Sequence, residues 1–204
     1  GPDPEQHPPH LVGIGTFQPV EKAFEMAREM NPGLKKVGTV WCTSETCSEA
    51  CVKLARSKCS ELGIELIEMS VENTTQVLET ALSVTARGVD ALWVGGDNVV
   101  EAAIDQVITA AAKARIPLFT NNTDNVYGNT LFGLGARYSE VGRIAGQMAA
   151  DILEGKPTGE IGVSNVVPLN LVVNPGALDN MKEQWDIHSV SESQSNNRFS
   201  PSNP

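Results

Sequence analysis

The chain has 204 residues, of which 41% are hydrophobic and 20% are charged, and its 25 acidic and 15 basic residues give a formal net charge of -10. This length suits one domain, or one lobe of a two-lobed protein with additional segments. The acidic balance argues against a nucleic-acid partner, which requires clustered lysine and arginine, and no stretch is apolar enough for direct insertion into a membrane.

Residues 1–10 are polar and proline-rich and show no signal-peptide pattern. We interpret them as a flexible lead, an expression-vector remnant or the cut edge of a longer chain. Residues 11–35 are interpreted as a linker and a first helix, because apolar side chains recur with the helical period from Val20 to Met30. Asn31-Pro32-Gly33 is expected to end this helix.

Apolar strands alternate with amphipathic helices from residue 36 onward. Strands are predicted at 36–41, 64–71, 91–94, 116–120 and 128–135, and helices at 44–62, 73–86 and 98–112. Alternation of this kind predicts right-handed crossovers and an α/β fold, a doubly wound parallel sheet flanked by helices. Residues 36–135 are therefore predicted to form a ligand-binding lobe.

The pattern changes after residue 135. Within residues 136–165 a helix is predicted from Glu140 to Leu153, with one face made of small residues: Ala145, Gly146, Ala149 and Ala150. Residues 166–188 are predicted to contain a return strand and a terminal helix. Residues 189–204 are rich in serine, asparagine and proline, and we expect them to be disordered.

One short loop, Val94-Gly95-Gly96-Asp97-Asn98, follows a buried strand and precedes a helix. Two glycines permit a sharp turn, and Asp97 is a favourable N-cap for the helix. Small ligands bind at the carboxyl ends of strands in open α/β sheets, where Asp97 can also meet a ligand's ammonium group. The residue types alone leave both interpretations open, and capping preference favours the cap.

Four such loops carry hydroxyl, amide and carboxylate side chains at predicted strand ends, at 42–45, 72–74, 96–98 and 121–124. They suit hydrogen bonding to a small zwitterion or a sugar, with a ligand carboxylate at the helix N-terminus after Ser44 and an ammonium group at Asp97 or Asp124. Ordinary turns and caps use the same residue types. The candidate ligand-binding residues are Ser44, Glu45, Asp97, Asn98, Asn121, Asn122 and Asp124.

Enzymatic functions are poorly supported. The histidines lie near the chain ends, at positions 7, 10 and 188, and Gly13-Ile14-Gly15 lacks the third glycine of a dinucleotide fingerprint. No catalytic residue, metal ligand or cofactor is therefore assigned.

The four cysteines, at 42, 47, 51 and 59, match no metal-binding spacing. They are interpreted as buried thiols, as one disulfide from Cys42 to Cys47 or Cys51, or as a metal or redox group.

Taken in order, several stretches resemble ABC-transporter substrate-binding proteins of the periplasmic-binding type I fold, in the tryptophan-binding-like group. The resemblance extends from Val12 to Met181. It rests on residues 19–21, 31–38, 54–55, 61–66, 89–94 with 97–98, 116–119, 134–135, 138, 140–143 and 155–157. The chain departs from the family pattern at Cys42-Thr43, where Asn-Pro is frequent, at Gly96, where a hydroxyl residue is frequent, and at Arg137, where an acid is frequent.

This resemblance implies the solute-binding component of an ABC importer, which holds an amino acid between two lobes and delivers it to an ABC permease. It implies a periplasmic or other extracytoplasmic location, with a lipoprotein anchor as one option. The family's first lobe is absent before Leu11, so the helix at 140–153 is expected to belong to that lobe. We keep two alternatives: a ligand-sensing lobe of a larger signalling or regulatory protein, and a small enzyme or redox protein that uses the cysteines.

Overall fold

A computed structural model describes residues 7–190, so residues 1–6 and residues 191–204 of the predicted tail lie outside the described range. The first two residues of the tail predicted to be disordered, Ser189 and Val190, are helical, and Val190 is buried. The strands are β1 (Ile14–Gly15), β2 (Lys36–Cys42), β3 (Glu65–Val71), β4 (Ala91–Val94), β5 (Leu118–Thr120), β6 (Thr130–Ala136), β7 (Ser164–Asn165) and β8 (Leu169–Val173). The α-helices are α1 (Val20–Met30), α2 (Thr46–Leu62), α3 (Val77–Thr85), α4 (Asn98–Glu101), α5 (Ile104–Ala114) and α6 (Tyr138–Leu153).

The central sheet has six strands in the order β3-β2-β4-β5-β6-β8. The first five are parallel, and β8 pairs antiparallel with β6 at the edge. The predicted α/β fold with a doubly wound parallel sheet is therefore confirmed, except that one edge strand, β8, is antiparallel, which the sequence pattern did not indicate.

Both faces of the sheet are buried. On one face α1 and α2 pack over Trp93, Phe119 and Phe132, and the ring of Phe24 meets Trp93 edge-on at 5.0 Å between centroids. On the other face the apolar sides of α3 and α5 cover the sheet. Burial on both sides explains why these strands have continuous apolar runs rather than alternating ones.

Two predicted helices differ from the observed ones. The helix predicted at 98–112 is divided into α4 and α5, because Ala103 leaves the helical region with φ -121° and ψ 26°. Alanine has the highest helix propensity, so the local sequence contains no signal for this break. The terminal helix predicted within 166–188 is a short 3-10 helix, Pro175–Asn180.

Helix α6 lies apart from the central sheet. None of its residues is buried, although Ala145, Met148 and Ile152 line an apolar groove of about 230 Å³ with the segment around β1. Strand β1 pairs in parallel with β7 in a separate two-stranded sheet. Within residues 7–190, no helix has both the length and the hydropathy required to cross a bilayer.

The connections of the sheet reverse direction between β2 and β4. From β2 the chain passes through α2 to β3 on one side, whereas from β4 it passes through α4 and α5 to β5 on the other. In open α/β sheets this reversal opens a crevice at the carboxyl ends of the two strands, where ligands bind. We call this place, between the loops 42–46 and 95–98, the switch crevice.

Candidate functional site

The predicted ligand-binding residues lie along one edge of the sheet. Ser44 follows β2, Asp97 follows β4 and Asp124 follows β5, and these three strands are adjacent and parallel. Because the carboxyl ends of parallel strands meet at the same edge, the structure brings the three loops together. The geometry that the candidate site requires is therefore present.

Asp97 lies at the centre of this edge and is only 4% exposed. Its Oδ2 accepts hydrogen bonds from the backbone N–H of Cys42 and from the hydroxyl of Ser48, each at 2.6 Å. Its Oδ1 accepts from the backbone N–H groups of Val99 and Val100, at 3.1 and 2.9 Å. The capping interpretation is confirmed, and the same carboxylate also joins the β4 loop to β2 and α2.

A carboxylate has about four acceptor positions, and four protein donors meet Asp97. The Asp97 side chain thus mainly holds the two loops of the switch crevice in place. No acceptor position is left over for a strong additional bond to a ligand ammonium group.

Both loops of the switch crevice also carry exposed polar groups, Ser44 on one and Asn98 on the other. The side-chain N–H of Asn98 donates to Glu45 Oε2 at 2.9 Å, and Ser44 is exposed with its Oγ 3.1 Å from the sulfur of Cys42. No side chain caps the first turn of α2. The N–H groups of this turn therefore have no side-chain acceptor, which suits a ligand carboxylate bound at the crevice.

The loop after β5 divides into a structural and an exposed part. Asn121 is buried, where its Oδ1 accepts from Trp93 Nε1 at 3.0 Å and its Nδ2 donates to the carbonyl of Leu134 at 2.9 Å. Asn122 Nδ2 donates to Glu101 Oε2 at 2.9 Å. Asp124 is exposed. Asn121 thus holds the loop in place, whereas Asn122 and Asp124 present polar groups at the edge.

Glu101 was not among the predicted site residues. It lies on the first turn of α4, four residues after Asp97, and it is partly buried. Burial raises the pKa of Glu101; the hydrogen bond from Asn122 lowers it, and the negative charges of Asp97 and Asp124 raise it again. The sequence signal that could have identified Glu101 is its position four residues after the N-cap, Asp97.

Gln18 also lies at the crevice and was not among the predicted site residues. A Cβ atom built on Gly96 would lie 2.8 Å from Gln18 Nε2 and 3.0 Å from Cys47 Sγ. The side chains of Gln18 and Cys47 therefore lie close to the loop backbone at Gly96. Gln18 comes from the segment before α1, far away in sequence, and no local pattern indicated it.

The four cysteines are free thiols; Cys42, Cys51 and Cys59 are buried and Cys47 is exposed. The interpretation of a disulfide from Cys42 to Cys47 or Cys51 is therefore wrong. Within residues 7–190, no three histidine, cysteine or acidic side chains are placed to hold a metal ion.

Thiol labelling should separate Cys47 from the other three cysteines. With Ellman's reagent at neutral pH, we expect fast labelling of Cys47 alone in the native protein and of all four thiols in denaturant. Burial raises the pKa of Cys51 and Cys59 to about 12, which keeps both thiols protonated and unreactive. Fast native labelling of a second cysteine would contradict this burial.

A groove of about 570 Å³ lies next to Gln18, between α1 and the β7 segment. Its buried lysine, Lys58, is paired with Glu25 and with Glu61, each at 2.9 Å. The groove therefore has no unpaired charge from Lys58 to offer a ligand, and the switch crevice is the better candidate.

Residues 4–189 match the family model described as ABC transporter substrate binding protein. A curated relative, the tyrosine-binding protein of Clostridioides difficile (strain R20291), is 25% identical over 169 residues, which are 83% of this chain and 49% of the relative. The chain thus spans about half the length of the curated relative that it matches.

Two solved structures are similar. A conserved domain protein from Vibrio cholerae has a TM-score of 0.78 at 26% identity, over 88% of this chain and 60% of that one. An ABC domain from Streptococcus pneumonia in complex with L-Trp has a TM-score of 0.77 at 20% identity, over 89% of this chain and 61% of that one. The second likeness concerns the fold alone.

Proposed function

Because the chain belongs to the ABC transporter substrate-binding protein family, with a type I periplasmic-binding fold, we propose that its switch crevice binds an amino acid for delivery to an ABC permease. The observation that carries this proposal is the arrangement at the edge of the sheet. The uncapped first turn of α2 faces the end of β4, and carboxylates and amides follow β4 and β5. One end suits a carboxylate and the other an ammonium group.

The size of the edge also suits such a ligand. Adjacent strands are separated by about 4.8 Å, so the ends of β2 and β5, with β4 between them, are about 10 Å apart. This distance matches a single amino acid rather than a peptide or a polymer. The hydroxyl and amide groups of Ser44, Asn98 and Asn122 supply further hydrogen bonds, and Glu45 and Asp124 complete the proposed contacts.

We propose that a second lobe closes the switch crevice over the ligand. We include in the proposal that residues 136–165 pack on that lobe, which would cover the apolar groove between α6 and the β1 segment. A non-enzymatic role and an extracytoplasmic location also form part of the proposal. A sensing role would use the same crevice, and the family match favours transport.

The test is a ligand screen on the whole protein, expressed from the complete reading frame that contains these residues. We expect saturable binding of an aromatic amino acid, with L-tyrosine and L-tryptophan as the first probes, measured by calorimetry. A change in intrinsic tryptophan fluorescence should accompany binding, because the indole N–H of Trp93 donates a hydrogen bond to Asn121 in the loop after β5. Pentoses and hexoses serve as the control panel. Binding of a sugar with no response to any amino acid would refute the proposal.

A further inference from the structure

We infer that Glu101, held at the edge by Asn122, is the specificity-determining carboxylate that accepts the ligand's ammonium group. This inference rests on the proposed function and names the residue that makes the site select amines. Asn122 Nδ2 donates to Glu101 Oε2 at 2.9 Å, which ties the first turn of α4 to the loop after β5. This is the one side-chain hydrogen bond that the described part of the structure gives to the Glu101 carboxylate, so acceptor positions are left for a ligand.

The two carboxylates nearer the switch crevice are less suitable. Asp97 is buried and already accepts four hydrogen bonds from the protein, as described above. Glu45 accepts from Asn98 and stands beside the first turn of α2, where a ligand carboxylate is expected. An ammonium group bound there would leave the ligand carboxylate without its helix N-terminus.

Asp124 is exposed, and a fully hydrated carboxylate gains little from an ion pair. Glu101 is partly removed from water, where a charge-assisted hydrogen bond is stronger. Glu101 is the last residue of the one-turn helix α4, and its hydrogen bond from Asn122 places the carboxylate beside the loop after β5. Asp124 then contributes negative potential to the same place without being the main contact.

The charges around Glu101 favour a cation. Asp97 on its own loop and Asp124 after β5 are both acidic, and on α2 the group that interacts with it is the Cys51 thiol, which burial keeps protonated. Together with burial, the two acidic neighbours raise the pKa of Glu101. A bound ammonium group would lower that pKa again, because it favours the ionised carboxylate.

The pH dependence of ligand binding follows from the direction of these pKa changes. The ionised form of Glu101 is the one that accepts the ammonium group, so affinity for an amine-bearing ligand should rise with pH through the raised pKa of the free protein. At a pH near that pKa, binding should release protons. A ligand without an amine should show neither effect.

The experiment compares L-tyrosine with its des-amino analogue, hydroxyphenylpropionate, on the whole protein and on Glu101→Gln. The substitution keeps the shape of the side chain and removes its charge. We expect it to weaken L-tyrosine binding about 10- to 100-fold and to change analogue binding by less than about 2-fold. Glu79→Gln, on the exposed side of α3, makes the same charge change away from the site and should alter neither.

The wild-type protein supplies a second measurement that needs no variant. Calorimetry in buffers of different ionisation enthalpy, from about pH 4 to about pH 8, should detect proton release with L-tyrosine and none with the analogue. The inference is wrong if Glu101→Gln weakens binding of both ligands equally, or weakens binding of neither. The proposed function would still hold in that case, provided that the wild type binds an amino acid. If the wild type binds no amino acid, both the inference and the proposed function are wrong.

Discussion

Asp97→Ala is expected to lower the free energy of unfolding by about 4 kcal/mol, because it leaves four donors without their acceptor. Three of the donors are backbone N–H groups, of Cys42, Val99 and Val100, and the fourth is the hydroxyl of Ser48. The affected atoms lie in or next to the buried part of the edge. Urea unfolding followed by far-UV circular dichroism measures the change.

A second N-cap provides the control for Asp97. Asn73 caps the exposed 3-10 helix before α3, where its Oδ1 accepts from the N–H of Thr75 at 3.1 Å. Asn73→Ala should cost about 1 kcal/mol, the ordinary value for a cap. If Asp97→Ala costs no more than this control, the proposed role of Asp97 in joining β2, α2 and β4 is wrong.

Trp93→Ala is expected to destabilise the protein by about 3 to 5 kcal/mol, because it leaves a large cavity in the core. The side chain is 1% exposed and packs edge-on against Phe24. Its indole N–H also donates to Asn121, so the substitution releases the loop that carries Asn122 and Asp124. Thermal or urea unfolding should show the loss, and amide exchange should increase at residues 121–124.

Two further tryptophan variants distinguish packing from the hydrogen bond. Trp41 is only half-buried at the end of β2, and Trp41→Ala should cost less, about 1 to 2 kcal/mol. Trp93→Phe keeps most of the packed ring and leaves Asn121 Oδ1 unpaired. It should cost about 1 to 3 kcal/mol and still increase exchange in the β5 loop. A loop that stays equally protected in Trp93→Phe would show that packing alone holds it.

The two interpretations of Asp97 illustrate how far the sequence could lead. Capping preference and the Gly95-Gly96 turn correctly predicted an N-cap after a buried strand. The further bonds to Cys42 and Ser48 join residues 55 and 49 positions apart, and no local pattern contains them. They occupy acceptor positions of Asp97, and the ammonium acceptor that we propose is instead Glu101, which was not among the predicted site residues.

The interpretation of the cysteines had the same limit. Their spacing excluded familiar metal patterns, but it left buried thiols and a disulfide both open. Packing of α2 on the sheet decides the outcome, since it buries Cys51 and Cys59 and leaves Cys47 at the exposed start of the helix.

By itself the sequence determined the order of the main strands and helices, the parallel α/β architecture, the family and the loops at the carboxyl edge of the sheet. Period, caps and turn residues act between near neighbours, so they can be interpreted without coordinates. The tertiary structure alone decided the antiparallel β8, the division between α4 and α5, and the partners of Asp97, Glu101 and Asn121. These depend on strand order and register, which place groups distant in sequence within hydrogen-bonding distance.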